Sequence, residues 1–352
     1  MAVDLGKLVS KVKVSIGLDA LADKIIAVDA YNTIYQFLSI IRQPNGMPLT
    51  DSDGRVTSHL SGLFYRTANL LEAKVLPIFV FDGIPSVLKQ RTIEARMNRR
   101  SKALEEWNAA LEKGMISEAR VHAMASTRID KEIIESSKRL LGLMGVATIQ
   151  APGEGEAQAA RMTEDSAAYA SASQDYDSFL FGATTVIRNL TISGRRKLPG
   201  RDVYVNVGIE SVQTASLLAE LGINQQQLVL LGALIGTDFN EGIDRVGPMT
   251  ALKIVKEHKT MDDVSAYVKQ KYGRDMDEDL KNVTGLFENP ETTHIASADV
   301  DQMLKRSKPD KEGMISFMCD RHGFSPERIG KFAERIVQLR NEPHQKGINK
   351  WL

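Results

Sequence analysis

APGEGEAQAARMTEDSAAYASASQDYDSFLFG, residues 151–182, is the stretch on which the reading of the chain turns. It carries two carboxylate pairs, Glu154/Glu156 and Asp175/Asp177. In an extended segment the side chains at i and i+2 point the same way, so Asp175 and Asp177 converge if the QDYD run leaves a strand end extended. Glu154 and Glu156 follow Pro152-Gly153 and precede an Ala-rich helical pattern, which puts them on a loop running into a first helical turn. Six carboxylates stand against the single Arg161, for a net charge of about minus five. Carboxylates brought together repel and raise one another's pKa, which a fold tolerates when cations fill the gap. Hard oxygen ligands of this kind suit magnesium or manganese. A solvated acidic helix followed by a turn accounts for the same residues taken alone, so the decision rests on the rest of the chain.

Four short apolar runs read as strands: Lys24–Val28, Val75–Phe81, Val146–Ile149 and Tyr169–Gln174. Helical patterns lie between them, such as Ser58–Glu72 and Asp130–Met144, the latter starting near Thr127 where Thr127 and Asp130 have the spacing of a capping box. Strands alternating with helices imply an α/β fold around a central, mainly parallel sheet. Ligands of such sheets bind beyond the carboxyl ends of the strands. Each of the four runs delivers a carboxylate there: Asp29, Asp82, Glu154 with Glu156, and Asp175 with Asp177. Asp is a common turn residue, but turn chemistry does not explain four in four. Asp238, in Gly236-Thr237-Asp238 after the apolar helix pattern Leu228–Ile235, is either a fifth contribution or a loop residue or helix cap. Seven carboxylates exceed what one magnesium ion takes from a protein and suggest two. Two ions ~3.5–4 Å apart stabilise both the attacking and the leaving oxygen of a phosphoryl displacement.

Whole-chain properties set the frame. The 352 residues are enough for one large or two medium domains, with 43% hydrophobic and 26% charged content, as in ordinary globular proteins. No run of about 18 apolar residues predicts a membrane span, and the charged N-terminus is not a signal peptide. Cys319 is the single cysteine, which excludes an internal disulfide and any multi-cysteine zinc site. The 45 basic and 45 acidic residues balance, yet they are unevenly spread. The segment Lys89–Lys102, KQRTIEARMNRRSK, holds six basic residues and one acidic one just beyond Asp82. On a helix Lys89 and Arg96 share a face, Arg99 and Arg100 follow one turn later, and Ile93, Met97, Leu104, Trp107 and Leu111 form an apolar face. Lys89 and Arg96 are placed to neutralise a phosphate. Gly114 makes residues 87–126 breakable, as in a mobile helical lid. Tyr35 reads as a core aromatic or as a base-stacking platform. In Glu241–His258 a glycine turn runs into a helix at Pro248; its free N–H groups suit a DNA phosphate, with Lys253 and Lys256 following. The basic run 195–201 reads equally as a backbone contact or a hairpin tip. Residues 259–340 look helical, with a flexible stretch at Phe287–Ala298. The tail QKGINKWL spaces Gln345, Ile348, Trp351 and Leu352 as an apolar docking element or a segment folded on its own core.

With these residues in view, the sequence resembles the flap endonuclease family of structure-specific 5′ nucleases, most closely its archaeal members. The resemblance spans about Asp4 to His258 and the tail, and is carried by VDAYNTIYQFL around Asp29, VFDGIPSVLKQRTIEAR around Asp82, APGEGEAQAA, ASQDYDSFLFG, and GTDFNEGIDRVGPMTALKIV, which is similar to a helix–two-turn–helix element. It implies a PIN-like nuclease fold with two magnesium ions on the seven carboxylates, for which manganese substitutes. It implies that Lys89 and Arg96 act on the scissile phosphate and that Tyr35 stacks on the displaced nucleotide. A helical arch at 87–130 would admit the flap, with Arg99 and Arg100 on it. The 236–256 element would hold duplex DNA through Gly242, Gly247, Lys253 and Lys256, with a potassium ion on backbone oxygens. The tail resembles the box that docks on the sliding clamp, proliferating-cell nuclear antigen. The implied layout is one nuclease domain, 1–340, comprising an N-terminal region 1–105, an internal region 122–258 and a helical part 259–340, followed by a tail 341–352. The implied activity is 5′ flap cleavage with 5′–3′ exonuclease activity in Okazaki-fragment maturation and base-excision repair, by a monomer in an archaeal cytoplasm. Two positions depart from the family: Ala2 stands where it usually has Gly, and Leu352 follows Trp351 where the clamp box usually ends in two aromatics. The rivals are a 5′ exonuclease or junction resolvase of the same superfamily, a non-catalytic junction- or clamp-binding adaptor, and an RNA-cleaving PIN-type ribonuclease.

Overall fold

The computed structural model describes residues 3–192, 194–197 and 204–341. Its strands, in chain order, are β1 Val14–Ile16, β2 Ile25–Asp29, β3 Leu76–Phe81, β4 Thr148–Gln150, β5 Ala170–Ala172, β6 Thr185–Arg188, β7 Gly194–Lys197, β8 Tyr204–Val207 and β9 Ile209–Gln213. Seven of them form one sheet in the order β1-β9-β6-β5-β2-β3-β4, and β7 pairs with β8 as a separate antiparallel ribbon. From β6 to β4 every pairing is parallel; β9 and then β1 add an antiparallel edge. The four strands expected from sequence are β2, β3, β4 and β5, each within two residues at its start. The chain passes from β2 outward through β3 to β4, then crosses back to lay β5 and β6 on the other side of β2. The order therefore reverses between β2 and β5, which is where an open α/β sheet leaves a crevice for a ligand.

The strands are short and apolar because both faces are covered. Ile26 and Val28 of β2, with Phe79 and Phe81 of β3, belong to a core shared with the helices Ala30–Ile40, Ser58–Glu72 and Lys131–Leu143. Ala27, Ile78, Val80 and Ile149 alternate with them onto the opposite face, against Ala159 and Met162 of the helix Gly155–Glu164. Helix Ser58–Glu72 has the predicted bounds. The next one starts later than expected: Asp130, not Thr127, is its N-cap and accepts from Ile133 N at 2.9 Å. Thr127 is spent elsewhere, donating to Met124 O at 2.8 Å and accepting from Arg42 at 2.7 Å.

Residues 87–126 form two antiparallel helices, Gln90–Glu112 and Ile116–Ala125, turning at Gly114 with φ +70°. The expected apolar face is corrected in part: Ile93, Trp107 and Leu111 are half-buried, but Met97 and Leu104 are exposed, and the buried residues are Ala103, Ala110, Ala119 and Ala123. Small side chains let the two helix backbones approach closely. Farther on, the helices Gln225–Ile235 and Pro248–Glu257 pack together around a turn that needs glycine. Gly242 has φ +67°, and a Cβ there would lie 2.4 Å from Gly236 N. The stretch 287–298 is not the free loop expected. Phe287 and Ile295 are buried, and Thr293 and Ile295 are hydrogen-bonded to Gln158 and Asp165. No described helix is long and apolar enough to cross a membrane. Gln345, Ile348, Trp351 and Leu352, like Ala2 and Arg201, lie outside the described residues.

Candidate nuclease centre

The carboxyl ends of the strands deliver the acidic residues to the crevice between β2 and β5. Asp29 ends β2 and caps the following helix, its Oδ1 accepting from Asn32 N at 2.9 Å. Asp82 follows β3, and its Oδ1 accepts from Gly155 N at 2.7 Å, at the first turn of the helix Gly155–Glu164. Glu154 is the N-cap residue of that helix and Glu156 lies in its first turn. The loops after β3 and β4 are pressed together: Gly83 N donates to Gly153 O at 2.7 Å, and a Cβ on Gly83 would stand 2.2 Å from Ala151 O. Asp177 opens the short helix Asp177–Leu180, and its Oδ1 accepts from Val3 N at 2.9 Å. Asp175 accepts from Asn32 Nδ2 at 2.9 Å. Asp238 reaches the site from the turn after Ile235, where the Asn240 side chain, donating to Ala233 O at 2.7 Å and accepting from Thr237 Oγ1 at 3.0 Å, holds the backbone in place. Asp238 is thus a loop residue turned toward the crevice, not a helix cap.

Two cations come down from the arch. Lys89 Nζ donates to Glu154 Oε2 and sits 4.0 Å from Asp238. Arg96 Nη2 lies 2.6 Å and 2.5 Å from the two carboxylate oxygens of Asp238. Burial acts to raise Asp29, Asp82, Glu156, Asp175, Asp177 and Asp238, and the partners decide the outcome. Asp29 is pushed up to about 8 by burial, with Asp82 and Asp175 adding to it. Asp177 is raised to about 7 by burial and by Asp238 and Asp175, against the bond from Val3. Asp82 rises to about 6 through burial and Glu154. Glu156 is raised well above the ordinary range by burial and by Asp175, Asp29 and Asp177, and Asp175 is raised by burial and Asp238. Asp238 alone goes down: burial would raise it, but Arg96 and Lys89 outweigh that. Lys89 stays charged, because Glu154, Asp82 and Asp238 overcome its own burial.

All seven predicted acids and both predicted cations therefore meet at one sheet edge. Among the described residues no three acidic, histidine or cysteine side chains converge tightly enough to hold an ion as they stand. Lys89 and Arg96 occupy the gap between Glu154 and Asp238 instead. The donor set nevertheless fits a hard divalent cation. It is all oxygen, crowded and largely out of water, and Glu154 Oε1 is buried with no hydrogen-bond partner.

The other predicted positions are more dispersed. Tyr35 is half-buried, with the Arg100 guanidinium of the arch helix 5.8 Å from its ring centre. Arg99, Lys253 and Lys256 are exposed. Gly247 is exposed at the N-cap of Pro248–Glu257, whereas Gly242 is buried inside the turn and its carbonyl accepts from Arg274 at 2.6 Å. Sequence reasoning missed Asn32, which touches both Asp29 and Asp175. Its place three residues after a strand-end Asp was the available signal. It also missed Ser178, which donates to Glu156 at 2.9 Å, and Arg188, which holds the QDYD turn through Gln174 O at 3.0 Å. The Val3 amide leaves no trace in residue type.

This is an acidic sheet-edge centre of phosphoryl-transfer character, roofed by a basic helical arch. A model of the XPG N-terminal domain matches residues 1–103, and one of the XPG I-region matches residues 145–238. The chain is 47% identical over 352 residues to Flap endonuclease 1 of Methanosarcina acetivorans, covering 100% of both. It is 47% identical to Flap endonuclease 1 of Pyrococcus abyssi, covering 100% of this chain and 98% of that one. The solved structure of flap endonuclease-1 from Methanococcus jannaschii superposes with a TM-score of 0.72 at 32% identity, over 96% of this chain and 98% of the other. The chain belongs to the flap endonuclease family.

Proposed function

We propose that this chain hydrolyses one DNA phosphodiester at the junction between a 5′ single-stranded flap and the duplex. The cellular setting is Okazaki-fragment maturation and base-excision repair, with an associated 5′–3′ exonuclease activity. The observation that carries this reading is the meeting of seven strand-end and turn carboxylates with Lys89 and Arg96, cations of the arch, in one crevice. Asp29, Asp82, Glu154, Glu156, Asp175, Asp177 and Asp238 would hold two magnesium ions, with manganese substituting. When bound, such ions supply Lewis acidity to the attacking and leaving oxygens. The protein does the rest. Arg96 offers a fork of donors and Lys89 a point charge to the scissile phosphate and to the charge that develops on it. Asn32 keeps Asp29 and Asp175 in fixed relation. Tyr35, beside Arg100, offers a ring to the nucleotide next to the cut.

The exposed Arg99, Lys253 and Lys256 and the free edge at Gly247 engage phosphates of the strands, and the 236–256 turn takes a potassium ion on backbone oxygens. The tail residues Gln345, Ile348, Trp351 and Leu352 dock on a sliding clamp. The enzyme is a monomer and works in the cytoplasm. A 5′-labelled flap duplex, a matched single strand and a flapless nick, each incubated with magnesium, test the reading. A single junction product, lost on chelation, is expected. Stepwise mononucleotide release would replace the reading with an exonuclease, and tight metal-independent binding without cutting would replace it with an adaptor. D177A should keep DNA binding and lose cleavage; cleavage retained at saturating magnesium would remove Asp177 from the centre.

A further inference from the structure

The helix Gly155–Glu164 carries two of the carboxylates at its first turn, and repulsion from Asp29, Asp175 and Asp177 acts on that end. Something has to hold this ten-residue helix in place against it. The tie comes from a distant part of the chain. Gln158 is fully buried, and its backbone N–H closes the first turn onto Glu154 O at 3.1 Å. Both ends of its amide go to one residue: Nε2 donates to Thr293 O at 2.8 Å, and Thr293 N donates to Oε1 at 2.8 Å. A reciprocal pair of this kind fixes the side chain in two directions, as a strand pairing would, and leaves no buried amide group wanting.

The far end of the helix is tied by the same segment. Asp165, its C-cap residue, accepts from Ile295 N at 3.3 Å and lies 2.9 Å from His294 Nδ1. Ile295 is buried in the small core with Ala159 and Met162. At its start the segment is anchored by Phe287, whose ring packs 5.4 Å from that of Phe239, the neighbour of Asp238.

We propose that Gln158, clamped by the backbone of Thr293, is a positioning residue for Glu154 and Glu156, so that residues 289–296 of the C-terminal part set the geometry of the acidic centre. The proposal rests on the two-ion reading of that centre. Two variants break the clamp from opposite sides: Q158L removes the amide, and T293P removes the N–H that Gln158 accepts. Four quantities are measured on each full-length variant: Mn2+ binding by electron paramagnetic resonance without DNA, the Kd for flap DNA in chelator, single-turnover cleavage against Mn2+ concentration, and Tm. Removing an outer-sphere support of a metal ligand typically weakens the metal by ~10-fold or more. We therefore expect Mn2+ affinity down by about that factor, a matching rightward shift of the cleavage curve that excess Mn2+ reverses, and DNA affinity within about twofold of wild type. Either variant suffices if the other fails to fold. Unchanged Mn2+ affinity and an unshifted curve would overturn the proposal. A parallel fall in Mn2+ affinity, DNA affinity and Tm would also overturn it, by making Gln158 a structural residue only. If the wild type binds Mn2+ but cuts no flap, the nuclease reading fails, while the Mn2+ comparison still judges the clamp.

Discussion

The burial of an ionisable Asp29 costs the fold stability at neutral pH, and D29N measures by how much. Burial, with Asp82 and Asp175, lifts its pKa from 3.8 to about 8. The folded form binds the proton more tightly than the unfolded chain, so the stability this group contributes is complete below pH 3.8 and is lost as pH rises toward 8. At pH 7 the gap from 3.8 is 3.2 units, which at ~1.36 kcal/mol per unit is about 4 kcal/mol. Asparagine removes this ionisation and still caps the helix at Asn32 N, since Asn and Asp are equally good N-caps. It remains a buried polar group, so we take about 2–4 kcal/mol as the gain. With ~2.1 cal/mol/K per residue over 352 residues, that is a rise in Tm of about 3–5 °C. The assay is thermal melting in chelator at pH 3.5, 5.5 and 7.5. The two proteins should melt together at the lowest pH and separate progressively above it. Magnesium should raise the Tm of the wild type more than that of the variant. A D29N protein that melts at or below wild type at pH 7.5 in chelator would refute the burial argument.

Three further perturbations probe the same construction. K89A should leave flap-DNA affinity within a few-fold and slow single-turnover cleavage by about 10²–10³, the usual effect of losing one preorganised charge; equal rates would separate Lys89 from the reacting phosphate. G83A must move the Ala151 carbonyl, 2.2 Å from the new Cβ, and should cost roughly 1–3 kcal/mol in denaturant titration together with a drop in cleavage, because Asp82 and Glu154 are carried on the two loops that part. Asp51, far from the centre, is held at about 2 because His322 and Arg55 outweigh its burial. Its contribution is therefore present above pH 3.8 and lost as pH falls toward 2, so wild type should lose stability over that range and D51N should start lower and lose less in acid melts.

Much of the centre was legible because sequence order and space coincide in a parallel sheet. Each apolar run ends at the same edge, so Asp29, Asp82, Glu154 and Asp175 could be gathered from the residues just beyond each strand. Strands β1, β6 and β9 end in no carboxylate, and they escaped the same reading, Arg188 at the end of β6 included. The arch face was misjudged because hydrophobicity points to Met97 and Leu104, whereas close helix packing selects Ala103 and Ala110. Phe287–Ala298 looked loose because its polar residues suggest solvent. Its order comes from partners some 130 positions away, Gln158 and Asp165, which no local pattern encodes. The Val3 amide on Asp177 is of the same kind: a backbone group, donated across 174 positions, that any residue but proline would supply.

The charge pattern of the centre constrains the order in which its parts can act. Arg96 spans both oxygens of Asp238, and Lys89 is spent on Glu154 with Asp238 nearby. A phosphate offers the same geometry to a guanidinium that a carboxylate does, so substrate and Asp238 compete for one fork of donors. Burial acts to raise Asp238 as it does Asp29 and Asp177, and Arg96 is the foremost of the charges that hold it down. A phosphate that draws on Arg96 would therefore take away the largest of the charges that hold Asp238 down. Because Arg96 sits on the arch helix Gln90–Glu112, freeing it also releases one of the contacts that draw that helix onto the sheet edge. The Arg96–Asp238 pair, with Lys89 on Glu154, is thus where the basic helix and the acidic crevice are joined.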